Sequence, residues 1–271
     1  MSRLNEFSVA YLWHDIFLLS MSSKIIVVAN WKMNPPTFRE AKRIFDATKK
    51  AVDKAPNVFV IVTPPSIFLR DLAKSYKGKR IAFAPQNVHW LPGGARTGEI
   101  SISQAADASA SYILIGHSER REMGETNEDT GKKVAATLEK KLIPILCVGE
   151  RERTKNGEHF GIVKEQLRAA LAEILPSRIS RMIIAYEPVW AIGGEITMSP
   201  REMHEMAIFI RKSIVETHGR SGQSVKILYG ASVGEKNAQA MLSEAPVSGF
   251  VVGHVSINPE RFTAMLKSIA R

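Results

Sequence analysis

Four polar residues stand at or just after the ends of short apolar runs, where their side chains could carry out proton transfer. Glu187 ends the run MIIAYE, and His117 follows the run YILIG. Asn30 ends the run IIVVAN, and Lys32 comes shortly after it. A carboxylate can take a proton from carbon, an imidazole can polarise a carbonyl group, and an ammonium group can stabilise the negative charge that develops. Together these groups predict proton abstraction next to a carbonyl group in an anionic substrate.

The apolar runs that precede these side chains predict a parallel β-sheet. Eight such runs begin at Ile25, Phe59, Ile81, Tyr112, Ile143, Met182, Lys226 and Gly249. They are apolar on both faces, as in a sheet that helices cover on both sides. Helix-length segments lie between most of the runs. One segment begins with a capping box of Ser199 and Glu202, with Pro200 as its first helical residue, and ends at Gly219.

Strand–helix units that repeat without a break in composition predict one α/β domain, a (β/α)8 barrel over residues 23–271. The alternative is an open doubly wound sheet, but no GxGxxG motif follows any predicted strand. In a barrel the catalytic side chains come from the C-terminal ends of the strands, so the four polar residues would share one rim. Residues 1–22 are predicted to be an N-terminal extension, either a frayed tail or the product of a start codon placed too early. His14 and Asp15 interrupt their apolar stretch, unlike a signal peptide.

The composition excludes several classes of protein. No run approaches the roughly 18 apolar residues of a transmembrane helix, so no membrane partner is expected. The single cysteine, Cys147, excludes an internal disulfide bond and fits a cytoplasmic protein. The net charge of +10 favours an anionic ligand. The basic residues are mixed with acids and not interleaved with aromatic residues, so no nucleic-acid role is predicted, and no metal-binding or nucleotide-binding motif occurs.

Six motifs, in order along the chain, resemble those of the triosephosphate isomerase family. They are ANWKMN, QNV…GGARTGEIS, ILIGHSERRE, ILCVGE, AYEPVWAIG and ILYGASV, and the resemblance spans residues 24–271. It implies a cytoplasmic homodimeric barrel enzyme of glycolysis and gluconeogenesis, without a cofactor or metal. The implied reaction interconverts dihydroxyacetone phosphate and D-glyceraldehyde 3-phosphate through an enediolate. Two alternatives stay open: a barrel isomerase for another phosphorylated sugar, and a weakly active binding protein on this fold.

The resemblance also implies a catalytic role for each of the four polar residues. Glu187 matches the family's catalytic base, and His117 matches the electrophile that polarises the substrate carbonyl. Lys32 and Asn30 match residues that hold the substrate and stabilise the enediolate, and Glu119 matches an acid that positions Lys32. The loop after Glu187 matches a lid, and this family is itself a standard example of such a closing loop.

The implied phosphate-binding groups are mostly backbone N–H groups. They belong to Gly193 on the lid, to Ser232 on the loop after the seventh strand, and to Gly253 and His254 after the eighth. A short helix that follows would point its positive end at the phosphate. Thr97, on the long third loop, matches a residue that reaches the active site of the neighbouring subunit.

Five residues depart from the family pattern around the phosphate and the third loop. Arg96 stands where the family often has an aromatic residue, Ala231 and His254 stand where it has glycine, and Glu195 and Ile196 replace glycine and lysine on the lid. For His254 two outcomes are open, because histidine disfavours a positive φ. Either φ is negative and the ring turns to solvent while the N–H contact is kept, or the loop is shifted.

Overall fold

A computed structural model of the protein describes residues 24–193 and 197–270. The strands are β1 (Ile25–Asn30), β2 (Val58–Thr63), β3 (Ile81–Phe83), β4 (Tyr112–Ile115), β5 (Ile143–Val148), β6 (Ile183–Tyr186), β7 (Lys226–Tyr229) and β8 (Gly249–Val252). They form one parallel sheet in the order β3-β2-β1-β8-β7-β6-β5-β4. Each strand begins within one residue of the position predicted from the apolar runs.

Backbone hydrogen bonds join the two ends of this sheet. The Ser111 N–H donates to the Phe83 carbonyl oxygen at 3.0 Å, and the Leu114 N–H donates to the Pro85 carbonyl oxygen at 3.2 Å. These bonds link the end of β3 to β4, so the sheet is a nearly closed barrel. The predicted (β/α)8 barrel is confirmed, and the open doubly wound sheet is excluded.

Helices follow the strands and cover the outside of the barrel. They are α1 (Phe38–Asp53), α2 (Ser66–Lys74), α3 (Ile102–Asp107), α4 (Ser118–Glu122), α5 (Asn127–Glu139), α6 (Glu158–Leu171), α7 (Pro176–Ile179), α8 (Pro200–His218), α9 (Ala238–Glu244) and α10 (Pro259–Ile269). Short 3₁₀ turns occur at Val189–Ala191, Gly219–Ser224 and His254–Ile257. No helix among the described residues is long and apolar enough to cross a membrane.

The strands are buried on both faces because each face packs against a different apolar cluster. In β1, Ile26 and Val28 point into a cluster built from strand residues and their immediate successors, which is the barrel interior. Val27 and Ala29, on the opposite face, belong to the larger cluster that includes the helices. This alternation follows from the two-residue period of a strand, and it fixes which residues reach the rim.

The helix with the clearest capping signals in the sequence, α8, forms as predicted. The Ser199 hydroxyl accepts the Glu202 N–H at 3.3 Å, and the Glu202 carboxylate accepts the Ser199 N–H at 2.8 Å. Pro200 is the first residue of α8, and Gly219 caps its end with a φ of 62°. The capping box is therefore confirmed. Residues 1–22, Glu195 and Ile196, about which the sequence also makes predictions, lie outside the described residues.

Candidate active site

The C-terminal rim of the barrel carries a cavity of about 700 Å³. Asn30 is the last residue of β1, and Glu187 directly follows the last residue of β6. His117 lies two residues after the end of β4. The cavity lining includes eight of the residues that the sequence singles out: Asn30, Lys32, His117, Glu187, Gly193, Ser232, Gly253 and His254. Glu119 joins them through its contact with Lys32, whereas Thr97 does not line this cavity.

Glu187 is held in place by backbone groups of β5 and of the first residue of α4. Its side chain is almost fully buried, and Oε2 accepts the Ser118 N–H at 3.0 Å. The acid's own N–H donates to the Val148 carbonyl oxygen at 2.7 Å. Gly149 allows this close approach, because a Cβ at that position would lie 1.8 Å from the Glu187 carbonyl oxygen. The buried carboxylate thus has a defined position on the cavity wall.

His117 is oriented by the helix that it caps. Its Nδ1 accepts the Glu119 N–H at 3.2 Å at the start of α4. A backbone N–H can only donate, so Nδ1 carries the lone pair and the ring proton is on Nε2. Nε2 lies 3.5 Å from Glu187 Oε1. The imidazole therefore presents a donor toward the cavity, beside the carboxylate.

Lys32 adopts a strained backbone conformation that side-chain amides stabilise. Its φ is 52°, in the left-handed region that disfavours non-glycine residues. Its N–H donates to Asn30 Oδ1 at 3.0 Å, and its carbonyl oxygen accepts from Gln86 Nε2 at 2.8 Å. Its ammonium group lies 2.6 Å from Glu119 Oε1. The lysine side chain lines the cavity, where it lies next to Gly253.

Cys147 and Arg121 form a layer behind the acid. Burial, followed by the nearby charge of Glu187, raises the pKa of the Cys147 thiol, so the thiol is protonated and has no reactive thiolate. Burial lowers the pKa of Arg121, whose guanidinium donates to the carbonyl oxygens of Gly116 at 2.8 Å and Cys147 at 3.2 Å. These bonds tie the ends of β4 and β5 together.

We call the loop of residues 188–198 the lid. Its first residues are hydrogen-bonded to a buried acid, Glu150. Glu150 is fully buried and accepts the Tyr186 hydroxyl at 2.8 Å and Trp190 Nε1–H at 2.9 Å. Its carbonyl oxygen accepts the Val189 N–H at 2.9 Å. Because buried carboxylates need such partners, Glu150 fixes the first turn of the lid on the barrel.

Ser232 holds the middle of the lid. The Gly193 N–H donates to Ser232 Oγ at 3.1 Å, and Ser232 Oγ donates to the Ala191 carbonyl oxygen at 2.8 Å. The lid thus contacts the loop after β7. The Gly193 N–H points to this hydroxyl in the structure, so it would have to change partner to bind a phosphate.

His254 needs no left-handed backbone. Among the described residues other than glycine, only Lys32, Ser109 and Lys141 have a positive φ. His254 is exposed at the start of the 3₁₀ turn that follows β8, and Gly253 before it has a φ of −89°. Of the two outcomes left open by the sequence, the structure agrees with a permitted backbone and a ring near solvent.

The long third loop stands away from the cavity. Its base is closed by the His89 N–H, which donates to the Ile100 carbonyl oxygen at 2.8 Å. Trp90 stacks on His89, with ring centroids 4.2 Å apart. Arg96 and Thr97 are exposed near the end of the loop, and the Arg96 guanidinium bonds only to the neighbouring Ala95 carbonyl oxygen within the described part of the chain.

Several groups with a structural part in the site were not assigned by the sequence. They are the Ser118 N–H, Gln86, Gly149 and Glu150. Gln86 and Glu150 lie just beyond β3 and β5, within the motifs QNV and ILCVGE. Their position at strand ends could therefore have identified them as residues of the site. No cluster of three His, Cys, Asp or Glu side chains able to hold a metal occurs in residues 24–193 and 197–270.

Comparison with known proteins agrees with this arrangement. The profile of the triosephosphate isomerase family matches residues 25–269 of the chain. A triosephosphate isomerase from Endomicrobium trichonymphae is 39% identical over 247 residues, which cover 90% of this chain and 98% of that relative. The matched region includes every strand and every cavity residue described above.

Proposed function

The chain belongs to the triosephosphate isomerase family, and we propose that it interconverts dihydroxyacetone phosphate and D-glyceraldehyde 3-phosphate through an enediolate. One observation carries the proposal. The carboxylate of Glu187 and the Nε2–H of His117 lie 3.5 Å apart on one wall of the cavity, with the Lys32 side chain lining the same cavity. A base, a neutral donor and a cation are the groups that this proton transfer requires.

In the proposed reaction Glu187 takes a proton from the carbon next to the substrate carbonyl. The electrons of that C–H bond form a carbon–carbon double bond, and the carbonyl oxygen becomes an enediolate oxygen. The Nε2–H of His117 donates a hydrogen bond to this oxygen, and the Lys32 charge stabilises it. Return of the proton from Glu187 to the neighbouring carbon, with proton transfer between the two oxygens, completes the isomerisation. No cofactor takes part.

Phosphate binding is assigned to the other half of the cavity. Ser232, Gly253 and His254 line it on the loops after β7 and β8, and Gly193 lines it on the lid. Backbone N–H groups there would bind the phosphate oxygens. The departures at Ala231 and His254 are compatible with this role, because neither residue has a positive φ.

We also propose that residues 23–271 form one catalytic domain that works as a cytoplasmic homodimer, in glycolysis and gluconeogenesis. Support for the dimer comes from exposed apolar side chains on the segments that follow β1, β2 and β4: Met33 is 94%, Ile67 is 80% and Met123 is 75% exposed. A second copy would remove this apolar surface from water and would place Thr97 near the partner's active site. Deleting residues 89–96 should then give monomers with little activity in sedimentation and rate measurements. A dimer that persists would place the interface elsewhere.

A coupled assay tests the activity directly. Purified protein is given D-glyceraldehyde 3-phosphate, and an auxiliary dehydrogenase consumes NADH as dihydroxyacetone phosphate forms. We expect kcat/KM above about 10⁴ M⁻¹ s⁻¹, within the usual range for enzymes. Turnover of a longer phosphorylated sugar without turnover of the trioses would favour the alternative isomerase instead.

A further inference from the structure

β5 and β6 stay paired beyond the point where β4 ends. β4 ends just before Gly116, whose φ of 70° turns the chain toward α4. On the other side of β5 the pairing continues. The Glu187 N–H donates to the Val148 carbonyl oxygen at 2.7 Å. Two residues further on, the Val189 N–H donates to the Glu150 carbonyl oxygen at 2.9 Å. The acid is therefore attached to an end of β5 that no longer has β4 beside it.

Every second residue of β5 points its backbone N–H and carbonyl groups toward β4, as the hydrogen-bond pattern of a parallel sheet requires. The Ile143 N–H donates to the carbonyl oxygen of Ser111, just before β4, at 3.0 Å. Residues 145, 147 and 149 consequently face the same way. A strand end without a neighbour leaves such groups unpaired. The carbonyl group of Cys147 and both backbone groups of Gly149 thus need partners that β4 does not supply.

Two side chains take the place of β4 at this end of β5. Arg121, on α4, donates to the Cys147 carbonyl oxygen at 3.2 Å. Gln166, on α6, pairs with both backbone groups of Gly149. Its Oε1 accepts the Gly149 N–H at 2.7 Å, and its Nε2 donates to the Gly149 carbonyl oxygen at 3.0 Å. The amide orientation is fixed by these partners, because the N–H can only donate and the carbonyl oxygen can only accept. The Gln166 side chain thus supplies the partners that Gly149 would otherwise find in a neighbouring strand.

Gly149 transmits the position of Gln166 to the acid. A Cβ at residue 149 would lie 1.8 Å from the Glu187 carbonyl oxygen and 3.2 Å from the Glu187 Cα. The two backbones are thus in direct contact, with no side chain between them that could absorb a shift. Because packed groups of this kind pass displacements on to their neighbours, a movement of Gly149 would move the residue that carries the carboxylate.

We propose that Gln166 is a positioning residue for Glu187, which it holds in place by pairing with the end of β5 where β4 is missing. The inference rests on the proposed function in so far as Glu187 is the base of the reaction. Gln166 is only 8% exposed and does not line the cavity of about 700 Å³, so it acts through the backbone of Gly149 and not on a substrate. A base must be held within about 0.5 Å of its productive position, and residues behind the site provide that precision.

The variant Gln166→Met tests the proposal. Methionine has a similar length but neither the donor nor the acceptor, so both backbone groups of Gly149 lose their partner. The control is Asn57→Leu, because Asn57 Nδ2 also donates to a backbone carbonyl oxygen, that of Ile269, at 3.4 Å. Asn57 directly precedes β2, at the end of the barrel opposite the cavity. It therefore loses an amide-to-backbone bond without touching the site.

Steady-state rates with D-glyceraldehyde 3-phosphate give the first readout. We expect kcat to fall roughly tenfold or more in Gln166→Met, with KM within about twofold of wild type, because the base is misplaced while the phosphate-binding loops are unchanged. Both constants should stay within about twofold of wild type in Asn57→Leu. A kcat within about twofold of wild type in Gln166→Met would overturn the proposal, as would a rise in KM as large as the fall in kcat.

A double-mutant cycle shows whether Gln166 acts through Glu187. In Glu187→Asp the carboxylate is already retracted, so the further change Gln166→Met should lower kcat by only about threefold or less. The same loss in both backgrounds would make the two residues independent and would contradict the proposal. If Gln166→Met does not fold, Gln166→Asn replaces it in both experiments, since its amide is one methylene group too short to reach Gly149. The same expected results and the same contradicting results then apply.

Crystal structures of wild type, Gln166→Met and Asn57→Leu separate this proposal from the proposed function. We expect the Glu187 Cα to move by roughly 0.5 Å or more in Gln166→Met and to stay in place in Asn57→Leu. An acid that does not move in Gln166→Met overturns the positioning role, whatever the activity. A wild-type protein without triose phosphate turnover would refute the proposed function, and the position of Glu187 would still decide the role of Gln166.

Discussion

The Glu187 carboxylate, which lines the cavity, accepts the Ser118 N–H at 3.0 Å. At the same time the Gly193 N–H of the lid donates to Ser232 at 3.1 Å. The lid can therefore contact the loop after β7 while the acid is still bound to Ser118. We call the bond from the Ser118 N–H to Glu187 the resting bond, because it holds the acid in this structure without a substrate.

The resting bond can be removed without changing the side chain of the acid. Ser118 is the first residue of α4, where proline is tolerated, and the ψ of 143° at His117 suits a residue before proline. Ser118→Pro should lower the free energy of unfolding by about 1–3 kcal/mol, because a buried carboxylate loses a donor. Ser118→Ala, which keeps the N–H, is the control in denaturant titrations. Equal stabilities of the two variants would show that the resting bond contributes nothing.

Lys32 is expected to act on the reaction and not only on Glu119. Lys32→Met keeps the stem and removes the charge, so kcat/KM should fall by at least about a hundredfold, as for loss of a preorganised group at a developing charge. The control is Glu119→Gln, which removes the 2.6 Å ion pair but leaves the ammonium group in place. The measurement is kcat/KM from steady-state rates. A decrease of less than about tenfold in Lys32→Met would show that the lysine only pairs with Glu119 and does not act on the reaction.

His254 should contribute to phosphate binding through its ring as well as its backbone. The ring is exposed at the cavity edge, and an imidazole N–H can donate a hydrogen bond to a phosphate oxygen. The measurement is the inhibition constant of phosphoglycolate in wild type and His254→Gly, and we expect weaker inhibition of the variant. Equal inhibition constants would leave only a backbone role for this residue.

The strands, and the polar side chains that the strands bring to one cavity, could be predicted from the sequence because each depends on a local pattern. Buried strands read as apolar runs, and Asn30, His117 and Glu187 stand where those runs end. The partners that orient them have no such pattern. The Ser118 N–H is a backbone group, and its contact with Glu187 joins residues that are far apart in the chain. Gly149 is required because the backbone of Glu187 passes close to it. Gln86 has a role because it donates to the carbonyl oxygen of Lys32, whose φ is strained.

The contact from Arg153 to α8 shows the same limit. Arg153 is one of many basic residues in polar segments, and nothing in its neighbours distinguishes it from a solvated surface arginine. What distinguishes Arg153 is its ion pairs with Glu202 and Glu205, which form because the loop after β5 packs against α8. Contacts of this kind depend on the tertiary fold, which one sequence does not reveal.

The central claim is that Glu187 removes the proton from the triose phosphate. Glu187→Asp shortens the side chain by one methylene group and retracts the carboxylate by roughly 1 Å, a displacement that typically costs about a hundredfold in rate. The most direct measurement is kcat and KM of wild type and Glu187→Asp with D-glyceraldehyde 3-phosphate. The account predicts active wild type and a roughly hundredfold lower kcat in the variant, with KM little changed. A variant whose kcat lies within about twofold of wild type would contradict the assignment of Glu187 as the base, since such a displacement should cost far more.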